Sequence, residues 1–112
     1  MQSVDIIKCF SPDILDGYFG LIKNLERRCP FDGKTKELIL LGILTGKQSE
    51  HGITVHVERA LAHGATTEEI ITVIVSALPA CGMGAVIKAL DQAKELLDLS
   101  EYKKTIERTK VA

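Results

Sequence analysis

The segment from His56 to Ile70, H-V-E-R-A-L-A-H-G-A-T-T-E-E-I, carries a helix stop followed at once by a helix start. Arg59, Ala60, Leu61 and Ala62 suit a helix, and Gly64 is the residue type that most readily takes the left-handed turn closing one. Two residues later, Thr66 and Glu69 have the spacing of a capping box, in which hydroxyl and carboxylate each accept the other's free backbone N–H. The run after it, Ile70 to Val75, is rich in β-branched residues and in isolation would read as a strand. The cap before it and the lack of alternation make it a helix instead.

The same logic extends along the chain and predicts an all-α fold, a compact bundle of about five helices. Ser11, Pro12 and Asp13 form a helix start, after which Ile14, Leu15, Tyr18, Phe19, Ile22 and Leu25 share a face. Cys29 to Gly33 is a turn. A second helix spans Lys34 to Gly46 around the all-apolar centre L-I-L-L-G-I-L, and a helix without a polar face must be covered on most sides. The third runs from about Ser49 to His63 and the fourth from Thr67 to Leu78, where Pro79 kinks or breaks the chain. Val86, Ile87, Leu90, Ala93 and Leu97 give the stripe of a fifth. The charged tail 100–112 is a short surface helix, with Lys103 and Glu107 at i,i+4, or disordered.

At 112 residues and 46% hydrophobic content, the expected organisation is one domain spanning 1–112 with its core at about 11–99. Two nearly all-apolar helices in so small a unit present more apolar surface than the others can cover, which predicts a homo-oligomer. Fourteen basic against fifteen acidic residues, with no basic stripe, argue against a nucleic-acid partner. The opening M-Q-S-V-D-I-I-K-C-F lacks the pattern of a signal peptide and no apolar run is long enough for a bilayer, so no membrane partner and a cytoplasmic location are expected. Cys9, Cys29 and Cys81 have no metal-type or C-x-x-C spacing and read as reduced thiols. Cys9 and Cys29, at opposite ends of the first predicted helix about 24 Å apart, are too distant to bridge.

His56 is the candidate acid or base, since imidazole alone titrates near neutrality unperturbed; its structural alternative is a half-buried packing residue. Glu37 opens a helix that then turns wholly apolar, which places its carboxylate for partial desolvation or for a simple first-turn role. Ser49 fits a helix cap or a substrate hydrogen bond, and Gly52 omits a side chain and leaves room for a ligand. His51 lies about 140° round the helix from His56. His56 and His63 stand two turns apart without H-x-x-x-H spacing, so no metal site is expected. Cys81, in P-A-C-G-M-G, is either a buried thiol or an accessible one.

The histidine, the small-residue helix, the glycine and the capped acidic helix together resemble the carboxymuconolactone decarboxylase and alkylhydroperoxidase D-like superfamily, over roughly Lys34 to Leu97. The resemblance implies a trimer or hexamer and a catalytic Glu37 and His56. It places the two thiols of the peroxidase branch on Ser49 and Gly52, and an accessory histidine on His51. Both thiols are therefore missing while the acid–base residues remain.

Three activities stay open. The first is a thiol-independent decarboxylase-type lyase acting on a small carboxylated lactone or related acid, with no cofactor. Glu37 and His56 would be catalytic, Ser49, His51 and Gly52 would bind substrate, and Arg59 or Lys47 would supply the cation for its carboxylate. The second is a hydroperoxidase relying on Cys81. The third is a scaffold that binds a small molecule without converting it.

Overall fold

The computed structural model describes residues 1–111, and among them every regular element is a helix. The contacts divide the chain into two compact units, Met1–Phe31 and the part from Asp32 onward.

The first unit is a pair of helices, α1 (Ser3–Phe10) and α2 (Pro12–Arg28). Helix α1 was not expected. It starts where the Asp5 carboxylate accepts the Gln2 N–H at 3.0 Å, and Lys8 suits the negative end of its macrodipole. Ser11 caps α2 through its hydroxyl, which accepts the Ile14 N–H, with Pro12 following in the first turn as predicted.

The second unit contains α3 (Gly33–Lys47), α4 (Glu50–Ala62), α5 (Thr67–Val75), the single turn α6 (Leu78–Cys81), α7 (Met83–Ala93) with a 3₁₀ turn at Lys94–Leu96, and α8 (Ser100–Val111). Helix α3 lies against α4, α5 and α7, and α4 against α7. The core they share includes Leu41 of α3, Ile53 and Val57 of α4, Ile70 and Ile74 of α5 and Val86 of α7. Small residues, Ala60, Ala89 and Ala93, complete it and let the helices approach closely. The buried residues run from Glu37 to Ala93, with Leu96 and Leu97 packed against them.

The stop and start around Gly64 form as read. Gly64 has φ +90°, its N–H reaches the Leu61 carbonyl and the Ala65 N–H reaches that of Ala60, the paired bonds of a Schellman turn. The Thr66 and Glu69 capping bonds are both 3.0 Å. The bond from the Thr66 N–H, with help from Lys34, holds the Glu69 carboxyl below the usual carboxylate range.

Two boundaries and one ion pair differ from expectation. Helix α5 ends at Val75, not Leu78, because a proline at 79 collides with the carbonyl four residues back, that of Val75. Pro79 then sits in the first turn of α6, where a missing N–H costs nothing. The fifth predicted stripe is helical only to Ala93 before tightening into the 3₁₀ turn. The tail is a helix whose ion pair is Lys104 with Glu101 at 3.2 Å, in place of the expected Lys103 with Glu107; its last residue, Ala112, lies outside the described residues.

Helix α3 is not covered all round within the second unit. Leu41 is fully buried, whereas Ile39 and Ile43 are 44% and 59% exposed.

Candidate acid–base site

Gln48 and Ser49 are all that separate α3 from α4. Gln48 takes the left-handed conformation (φ 60°) that closes α3, and Ser49 caps α4 by accepting the Gly52 N–H at 3.3 Å. The chain therefore doubles back, and residues of the two helices meet level by level: Leu44 with Gly52 near the turn, Glu37 with His56 further out, Gly33 with His63 at the far end.

The middle level holds the chemistry. Glu37 Oε2 lies 2.5 Å from His56 Nδ1, with the glutamate side chain 6% exposed and the histidine 17%. A carboxylate can only accept, so the geometry assigns the proton to Nδ1, which donates. The other ring nitrogen, Nε2, has no protein partner among the described residues. No buried side-chain nitrogen or oxygen there lacks a partner, so Nε2 keeps contact with solvent. A buried carboxylate thus orients an imidazole whose opposite nitrogen is free to give or take a proton, the relation a general acid–base group has to its orienting partner.

The remaining candidates do not all gather round this pair. Arg59 is exposed one turn beyond His56, and its guanidinium meets no partner among the described residues. Lys47 lies ten residues past Glu37, about 15 Å along α3, which leaves Arg59 as the better-placed cation. Ser49 is occupied as a cap, and His51 is exposed in the first turn of α4. Gly52 does not leave the ligand space expected of it. A Cβ built there would stand 2.7 Å from Ser49 Oγ and 2.9 Å from Leu44 Cδ2, so that volume is already filled.

Cys81 is exposed, not buried. Its Sγ would be 3.1 Å from a Cβ built on Gly46, which is nine residues past Glu37. That places Gly46 half a turn round α3 from Glu37 and about 13.5 Å along it. The thiol and the acid–base pair are therefore on different faces of α3.

Two features of the α3 N-terminus escaped the sequence reading. Lys34 Nζ pairs with Glu69 Oε2 at 3.0 Å, one turn before Glu37. The His63 ring covers Gly33 so closely that any Cβ there would meet it at 2.3 Å, while His63 Nδ1 donates to the Arg59 carbonyl at 2.8 Å. The glycine was the available signal for this close approach. Asp32 caps α3, and the Thr35 N–H it accepts at 2.7 Å holds its carboxyl below the ordinary value. No cluster of three or more His, Cys, Asp or Glu residues with metal-binding geometry occurs among the described residues.

Comparison with protein families matches the model described as the carboxymuconolactone decarboxylase family over residues 12–95. The chain belongs to that family. The match spans α2 to the 3₁₀ turn after α7 and includes Glu37, His56 and Cys81. Comparison with curated proteins and with solved structures returned no match. No helix among the described residues of this carboxymuconolactone decarboxylase family member is long and apolar enough to cross a membrane.

Proposed function

We propose that this family member is a thiol-independent acid–base enzyme of the lyase type, acting on a small carboxylated lactone or related acid. The observation that carries the reading is the 2.5 Å contact between buried Glu37 and His56, with Nε2 left unpartnered. In decarboxylation the bond from the ring carbon to the carboxylate breaks, carbon dioxide departs, and the electron pair stays behind, delocalised towards the lactone carbonyl. His56 Nε2–H then delivers a proton to that carbon, and solvent restores it. Glu37 accepts the Nδ1–H and fixes the ring's orientation, so that Nε2 faces the reacting carbon. Arg59 supplies a positive charge one turn away for the substrate carboxylate.

The reading competes with a hydroperoxidase that would depend on Cys81, and one assay separates them. Hydroperoxide consumption with a dithiol donor is measured for the wild type and for Cys81→Ser at equal concentration. The acid–base reading expects no consumption that depends on Cys81. Activity in the wild type that disappears in the variant would replace it with a thiol peroxidase.

The exposed Ile39 and Ile43, across α3 from buried Leu41 and Thr45, support self-association, for which the family resemblance implies a trimer or hexamer. Sedimentation at micromolar concentration is expected to give a species several times the 12.2 kDa of one chain; a stable monomer would remove this part of the proposal.

A further inference from the structure

We propose that Leu44 is a specificity-determining residue, which crowds the position one turn before His56 and so disfavours a side chain, a thiol included, at that point. Gly52 lies four residues before His56 on the same side of α4, about 6 Å towards its start. A Cβ at Gly52 would stand 2.9 and 3.2 Å from the two Leu44 methyls and 2.7 Å from Ser49 Oγ. Neither neighbour is loosely held. Ser49 Oγ is tied down by the Gly52 N–H it accepts at 3.3 Å. Leu44 packs against the buried core, so turning its methyls aside gives up contacts there.

The register of the two helices explains how Leu44 arrives. It lies two turns past Glu37 on the same side of α3, and helical side chains lean towards the helix N-terminus. Its methyls therefore reach back to the level of Gly52, just short of the Glu37 and His56 pair. The seam next to His56 offers a ligand an apolar wall in the place of a sulfur nucleophile, and the imidazole is left as the reactive group. That consequence rests on Glu37 and His56 being the reactive pair; the packing claim does not.

The test introduces Gly52→Cys into the wild type and into Leu44→Ala, and reads two quantities. Each cysteine variant's melting temperature is compared with that of its own parent. Alkylation by iodoacetamide is followed on the tryptic peptide running from Gln48 to Arg59, which contains no native cysteine. The thiol is expected to lower the melting temperature in the presence of Leu44, with at least half of that drop removed by Leu44→Ala. Labelling should be about tenfold faster in the double variant. Equal drops and equal labelling rates on both backgrounds would overturn the proposal. Gly52→Ala, which adds only the Cβ, serves if the cysteine variant does not fold. Any gain in helix propensity is common to both backgrounds, so Gly52→Ala should be better tolerated in the Leu44→Ala background than in the wild type, and equal tolerance would overturn the proposal. No turnover enters these readouts, so a negative result leaves the acid–base reading standing, and failure of that reading leaves the packing result intact.

Discussion

His56→Ala is expected to lower lyase turnover by about 10²- to 10⁴-fold, the usual contribution of a positioned acid or base, while the chain stays helical by circular dichroism. The variant also strands the buried Glu37 carboxylate, because its only hydrogen-bond partner among the described residues is His56 Nδ1. An unfolding cost of about 1–3 kcal/mol should accompany the loss of activity. Glu37→Gln separates the two effects. The amide keeps the shape and can still accept from Nδ1–H, so the stability cost should be smaller, but it removes the negative charge held against the ring and turnover should still fall steeply. If both variants turned over at the wild-type rate, the pair would be a packing contact and the assigned roles would be wrong.

The largest stability effect is expected at Leu41. It is fully buried at the centre of α3, the helix that contacts α4, α5 and α7 at once. Leu41→Ala removes methyl groups that other side chains cannot fully replace, and a cost of about 2–5 kcal/mol follows from the lost burial and the cavity left behind. In a protein of ordinary stability this is a large part of the total. Urea denaturation followed at the helical signal measures it. A change below about 1 kcal/mol would show that the site collapses freely and that α3 is not the centre of the core.

Elements governed by their own residues were legible in the sequence. The turn at Gly64 and the capping box at Thr66 and Glu69 each depend on atoms a few residues apart, and both formed as read. The end of α5 is legible as well, since Pro79 acts on the carbonyl of Val75, which stops the helix four residues short of the proline although the apolar run continues to Leu78. Helix α1 is a short element whose start is held by the Gln2 N–H on the Asp5 carboxylate and the Asp5 N–H on the Gln2 carbonyl, too weak a signal to stand out.

The site was legible only in part. Glu37 and His56 are candidates by their own chemistry but are joined as a pair only through the family resemblance, since a carboxylate and an imidazole 19 residues apart carry no sign of contact in themselves. Their meeting depends on the register of α3 against α4, which follows from the two-residue link at Gln48 and Ser49 and from the packing of Leu44 on Gly52 and of His63 on Gly33. Gly52 shows the limit of reading one residue at a time. A missing side chain implies space only when nothing else moves in, and here a leucine from the preceding helix has done so. The placement of Cys81 beside Gly46 is likewise a property of how α6 meets α3, which no local spacing encodes.

The most direct measurement of the central claim is carbon dioxide release from a panel of small carboxylated lactones, comparing the wild type with a chain carrying Cys9→Ser, Cys29→Ser and Cys81→Ser. A thiol-independent acid–base enzyme predicts release at equal rates from the two proteins. Release that vanishes with the cysteines, or a wild type that consumes hydroperoxide and releases no carbon dioxide, would contradict it.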